Sequence, residues 1–114
     1  MSFNDIEKHR IRKIVGKFCE ERVPDHLRSQ LDLIVDIKGF DVKIIETRPH
    51  FRRSHEWTEH PIARLNYDPE TMKWRLYWRR ASGKWMKYPD LKPTTRLQTL
   101  IDEIRGDPYR VFWG

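Results

Sequence analysis

The stretch Trp74-Arg75-Leu76-Tyr77-Trp78-Arg79-Arg80 alternates apolar and basic or amphipathic side chains with a period of two. That period belongs to a strand, because successive side chains of extended chain point to opposite faces of a sheet. Trp74, Leu76 and Trp78 therefore form a core-facing side, and Arg75, Tyr77 and Arg79 form the side turned away from it. Asp68-Pro69-Glu70 carries turn chemistry and connects this strand to an earlier one over Ile62 to Tyr67. Ala81-Ser82-Gly83-Lys84 turns into a short strand near Trp85 to Tyr88. Upstream, Gln30 to Arg48 is rich in β-branched residues. Leu31, Leu33, Val35 and Ile37 share one face there, Gly39 lies near a turn, and Val42 and Ile44 continue the apolar side as a hairpin. The expected sheet is a meander of about five antiparallel strands.

At both ends the period changes to that of a helix. Residues 4 to 22 open on Asn4 and Glu7 at capping-box spacing, carry Ile6, Ile11, Ile14, Val15 and Phe18 as an apolar stripe, and stop before Pro24. Lys8, Arg12, Lys13 and Lys17 lie on the other side, as on an ordinary solvated helix face. Near the other end, Leu97, Leu100, Ile101 and Ile104 follow the i, i+3, i+4, i+7 pattern, with Thr95 and Gln98 as a capping pair and Gly106 as the stop. This stripe is expected against Leu76 and Trp78, and Phe112 and Trp113 are too apolar to be left in water. The expected fold is α+β: an N-terminal helix, the meander sheet, and a C-terminal helix on one sheet face, in a single domain spanning residues 1–114.

With 114 residues, five Trp, four Tyr and five Phe, the chain can build one core, and it does not have the composition of a disordered segment. The 23 Lys and Arg exceed the 17 Asp and Glu, so the formal charge is +6 and the surface attracts polyanions. Cys19 is the only cysteine; it cannot form an internal disulfide, and on an apolar helix side it reads as a small buried hydrophobe in a reducing cytoplasm. The first residues lack the apolar region of a secretion signal, and no apolar run approaches the roughly 18 residues of a membrane span. The expectation is a protein neither secreted nor embedded in a membrane.

Several motifs occur in one order: Glu46-Thr47-Arg48-Pro49, His60-Pro61-Ile62-Ala63-Arg64, Trp74 to Arg79, Lys84-Trp85 and Phe112-Trp113-Gly114. In these the chain resembles a small bacterial family known as domain of unknown function 3024. The resemblance spans nearly the whole chain and implies a bacterial origin and one intact domain. It implies no activity and no cofactor.

Function must therefore be read from side chains. In an antiparallel sheet, Lys38, Lys43, Arg64, Arg75, Arg79 and Lys87 are expected on the face opposite the apolar one, with Tyr77 as a flat ring among them. Cations that track phosphates and a ring that stacks on bases suit single-stranded RNA or DNA. The bland reading is an ordinary polar sheet face, with Asp32 and Asp36 pairing with the cations across strands. Pro49 to Pro61 reads as a loop of about a dozen residues, with Arg52 and Arg53 as further candidate phosphate contacts and three histidines, His50, His55 and His60. His55 and His60 are five apart, not the four that puts two ligands on one helical face, so no metal is expected.

Two other classes compete. A protein-interaction or adaptor module, as a homodimer or with another partner, would use the Trp-rich fourth and fifth strands as an apolar contact. A Mg-dependent nuclease would use Asp36 and Glu46 as ligands in an acidic-x-basic setting, although Arg48 stands where a lysine is usual and cannot give up a proton. The preferred reading is non-enzymatic nucleic-acid binding without cofactor or catalytic residue.

Overall fold

The computed structural model describes residues 1–53 and 55–113; Ser54, inside the 49–61 connection, and Gly114, the last residue of the terminal motif, lie outside the described residues. Helix α1 spans Asp5–Arg22. The Asn4 side chain accepts from the Glu7 backbone N–H at 2.8 Å, and the Glu7 carboxylate accepts from the Asn4 N–H at 2.9 Å, so both ends of the capping box are closed. Ile11, Val15, Phe18 and Cys19 are buried, but Ile6 is 73% exposed, contrary to its assignment to the stripe. At about 100° per residue, Ile6 stands about 130° from the centre of the stripe that the later apolar residues define.

Five strands follow: β1 Asp32–Lys38, β2 Asp41–Pro49, β3 Trp57–Asp68, β4 Lys73–Arg79 and β5 Trp85–Lys87. They form one antiparallel sheet in sequence order, the expected meander. The β1–β2 turn is two residues long between the paired Lys38 and Asp41, and Gly39 takes the positive φ of 62° that so tight a turn requires. In the β2–β3 ladder Ile44 faces Ala63 and Ile45 faces Pro61, so Ile62 is the extra residue of a bulge. Pro61 has no N–H for a regular ladder, which explains why the irregularity falls there.

One expectation needs correction here. The third strand begins at Trp57, not Ile62, and β2 runs on to Pro49, so what read as a dozen-residue loop is a hairpin extension closed by residues 50–56. Its second arm reads Trp57-Thr58-Glu59-His60-Pro61, without the alternation of apolar and polar types that marks a strand.

Helix α2 spans Leu97–Gly106, and Leu97, Leu100, Ile101 and Ile104 are all buried as expected. They join one core with Ile11, Val15 and Phe18 of α1 and with Val42, Ile44, Ala63, Leu65, Trp74 and Leu76 of the sheet, so both helices cover the same sheet face. Trp78 packs against this core while only partly buried. The expected Thr95 cap is absent: Arg96 takes the N-cap position and makes no side-chain capping bond. Gly106 is the last helical residue, and Asp107 takes the left-handed conformation after it, with φ 42°.

Asp107 then ties down the chain end. One carboxylate oxygen accepts from Val111 N–H at 2.9 Å and Phe112 N–H at 3.2 Å, and the other from Trp113 N–H at 2.9 Å. Phe112 is buried and stacks on Tyr88 with centroids 5.5 Å apart. The Trp113 indole N–H donates to Ile104 O at 2.8 Å, and the Arg22 guanidinium covers the ring at 4.1 Å. No helix among the described residues is long and apolar enough to cross a membrane.

Candidate nucleic-acid interface

With both helices on one face, the other face of the sheet is open, and the strand register decides its occupants. Asp36 pairs with Lys43, Lys43 with Arg64, Arg64 with Tyr77, and Tyr77 with Lys87, so one row of side chains crosses all five strands. A second row runs from Lys38 through Asp41 and Asn66 to Arg75. Arg79 pairs with Trp85 in a third. Lys38, Lys43, Arg64, Arg75, Tyr77, Arg79 and Lys87 therefore share one surface, as the alternation implied.

The face is not evenly neutralised. Arg64 is held by Asp41, with its Nε 2.9 Å from one carboxylate oxygen and an Nη 3.2 Å from the other, and Asn66 donates to the same carboxylate at 2.7 Å. Among the described residues Lys38, Lys43, Arg75, Arg79 and Lys87 make no ion pair. Lys43 stands directly opposite Arg64, an arrangement of like charges that opposes sheet stability. Asp68, at the margin of the face opposite Lys73, accepts from Glu70 N–H at 3.0 Å, and this bond holds its carboxyl below the usual range.

The rings are partly engaged. The Arg64 guanidinium lies 5.1 Å from the Tyr77 centroid, so one part of the tyrosine is already covered by a cation. Trp85 is half-buried on this same face, a ring that the alternation argument did not assign. Its face follows from its pairing with Arg79 across the 80–84 turn, where Gly83 has φ 90° and an added Cβ would come within 3.2 Å of the Arg79 guanidinium. Trp57, one of the residues of the segment that read as a loop, stands opposite Pro49 on the hairpin extension.

Arg52 and Arg53 are not part of this surface. They sit at the end of the β2–β3 hairpin, where Arg52 lies 5.2 Å from the Phe51 ring and Arg53 is 3.4 Å from the Glu56 carboxylate. His50 organises that end, its Nδ1 accepting from the backbone N–H groups of both arginines at 3.2 Å.

The carboxylates of the nuclease reading are separated. Asp36 pairs with Lys43 and Glu46 with Leu33, so the two acids project from opposite faces and cannot hold one ion between them. Glu46 is bound instead by Arg48 Nε at 2.6 Å. Among the described residues no group of three or more metal-binding side chains occurs. Burial, then the nearby Asp32 and Glu20, push the Cys19 thiol up to about 12, so it is not a nucleophile at neutral pH. The apolar contact expected on the fourth and fifth strands is also displaced: Trp74 lies in the core, and Phe51 and Trp57, on the hairpin extension, are exposed by 85% and 46%.

The profile of the family described as Domain of unknown function (DUF3024) matches residues 3–114. No curated protein and no solved structure gives a significant match.

Proposed function

We propose that this chain, which belongs to that family, is a non-enzymatic module of a bacterial cytoplasm that binds single-stranded RNA or DNA on its open sheet face. The observation that carries the reading is the register: it aligns Lys43, Arg64, Tyr77 and Lys87 across four strands and sets Arg75 and Arg79 beside them. Cations in such a row neutralise phosphates and release counterions, while Tyr77, Trp85 and the planar Arg64 guanidinium offer surfaces on which unpaired bases stack. A cation placed opposite a cation costs stability in the free protein, and a bound polyanion removes that cost. The buried free thiol of Cys19 suits a reducing compartment.

The test is retention of a mixed-sequence single-stranded oligonucleotide across a salt series. The wild type is expected to bind with a log–log salt slope of several units, and Arg75→Glu with Arg79→Glu is expected to nearly abolish binding while circular dichroism stays unchanged. Each Arg→Ala change is expected to shallow the slope by about 0.7 unit. Absence of binding at low salt would overturn the reading.

A second reading, a protein-interaction module, is favoured by the exposure of Phe51 and Trp57 on the hairpin extension. A concentration-dependent mass that Phe51→Ser abolishes, with no oligonucleotide retained, would select it.

A further inference from the structure

The two edges of the sheet are built differently. β5, at one end of the strand order, has three residues, whereas β1, at the other, has seven, with no proline or glycine and an unbroken ladder to β2. Long regular edges usually carry a proline, a bulge or an inward charge that prevents pairing with another chain, and β1 carries none of these. Its cover is one bond from the exposed Arg12 side chain of α1 to Val35 O, 3.3 Å long.

The turn fixes which backbone groups of β1 point away from the sheet. Lys38 and Asp41 close a two-residue turn and so exchange backbone bonds. Alternation then directs the N–H and C=O groups of Asp32, Ile34, Asp36 and Lys38 to β2, and those of Leu33, Val35 and Ile37 outward. Two contacts agree with this parity: Val35 O is the carbonyl that Arg12 reaches, and Leu33 N–H is taken by the Asp32 carboxylate of its own strand at 2.9 Å. Val35 and Ile37 are only partly buried on the helix side, and Ile34 is 38% exposed on the open face.

We propose that β1 pairs antiparallel with β1 of a second copy, about a two-fold axis at Val35, to make a homodimer with one continuous sheet. The register follows from the order of charges. With Val35 opposite itself, Leu33 faces Ile37 and Asp32 faces Lys38 of the second copy, on both sides of the axis, so outward backbone groups meet outward groups and each acid meets a base. The adjacent registers of the same hydrogen-bond parity set Asp32 against Asp36, or Asp36 against itself, and like charges directly opposite are unfavourable. Ile34 and its copy become diagonal neighbours, which covers the exposed part of each. Val35 N–H of the second copy replaces Arg12 at Val35 O, and Asp32 exchanges the Leu33 N–H for Lys38.

Sedimentation equilibrium of the full chain, without nucleic acid and at low salt, tests the pairing. The wild type is expected to approach twice the mass of the 14.0 kDa chain reversibly as concentration rises. Lys38→Asp sets acid against acid at both ends of the interface, and Asp32→Lys sets base against base; each alone is expected to weaken association at least about tenfold with circular dichroism unchanged. In an equimolar mixture of the two variants every such pair is again acid against base, and a heterodimer of wild-type affinity is expected. Val35→Pro removes the central outward N–H and no bond of the β1–β2 ladder, and is expected to be monomeric. Phe51→Ser is expected to leave the dimer intact, which separates it from a contact through the hairpin extension. A wild type that stays monomeric up to about 1 mM, a charge variant that associates like the wild type, or a mixture that stays monomeric would each overturn the proposal. The measurement contains no oligonucleotide, so its outcome is separate from that of the nucleic-acid reading.

Discussion

The Arg64 guanidinium lies over the Tyr77 ring, 5.1 Å from its centroid, on an arm that Asp41 grips through two hydrogen bonds at 2.9 and 3.2 Å. The three residues come from three adjacent strands, so the contact locks β2, β3 and β4 in register on the open face while leaving the guanidinium plane available. Asp41→Asn keeps an acceptor for Arg64 but removes the charge. It is expected to lower stability by about 1 kcal/mol in urea unfolding. It is also expected to tighten oligonucleotide binding, because an acid is removed from the phosphate-facing side. Weaker binding by a folded Asp41→Asn protein would mean that Arg64 acts only when it is held in place.

Asp107 holds the chain end by accepting from three backbone N–H groups while its own backbone is left-handed. Asp107→Ala removes the acceptors and strains the cap, and a loss of about 2–4 kcal/mol is expected. Asp107→Asn, which tolerates the left-handed conformation and keeps one acceptor oxygen, is expected to lose about half of that. Equal losses in the two variants would show that the helix cap, and not the carboxylate, secures Phe112 and Trp113.

Leu100 is fully buried between α2 and the sheet, whereas Ile6 stands in water. Leu100→Ala is expected to cost about 2–5 kcal/mol through lost burial and the cavity left behind. Ile6→Ser is expected to change stability by less than about 0.5 kcal/mol. Thermal melts of the two variants separate the core stripe from the residue that only resembles it.

The Cys19 thiol is pushed up from the ordinary thiol range to about 12, first by burial and then by Asp32 and Glu20. Above pH 9 the unfolded chain loses this proton and the folded chain keeps it, so the unfolded state binds fewer protons and stability falls as pH rises. The contribution is whole below about pH 9 and is lost progressively towards pH 12. Tyr88, raised by burial and its bond to Glu103, and Tyr109, raised by its bond to Asp90, act in the same direction at higher pH. In Cys19→Ala the slope between pH 9 and 10 is expected to flatten, from a wild-type value approaching about 1.4 kcal/mol per pH unit. A thiol reagent that labels native protein at neutral pH as fast as unfolded protein would contradict the burial.

The alternation of Trp74 to Arg79, the heptad-like stripe of Leu97 to Ile104 and the capping box of Asn4 and Glu7 were legible in the chain itself, because each rests on the geometry of one element and its immediate neighbours. The meander followed from turn residues between strands, and the face carrying Arg75, Tyr77 and Arg79 followed from the period of two. Arg52 and Arg53 looked equivalent to those residues because charge type says nothing about distance from the sheet.

Tertiary pairing decided the rest. The β2–β3 extension is a strand pair because backbone groups of 45–49 meet those of 57–61, a match that residue types between two prolines do not reveal. Asp36 and Glu46 are parted by the parity of their partners, which only the register supplies. Asp107, not Gly106, takes the left-handed cap because three N–H groups of the returning tail converge on its carboxylate. Local periods are written in the covalent chain and survive any tertiary setting, whereas register, caps and clefts depend on contacts between residues distant in sequence, whose energies no single segment contains.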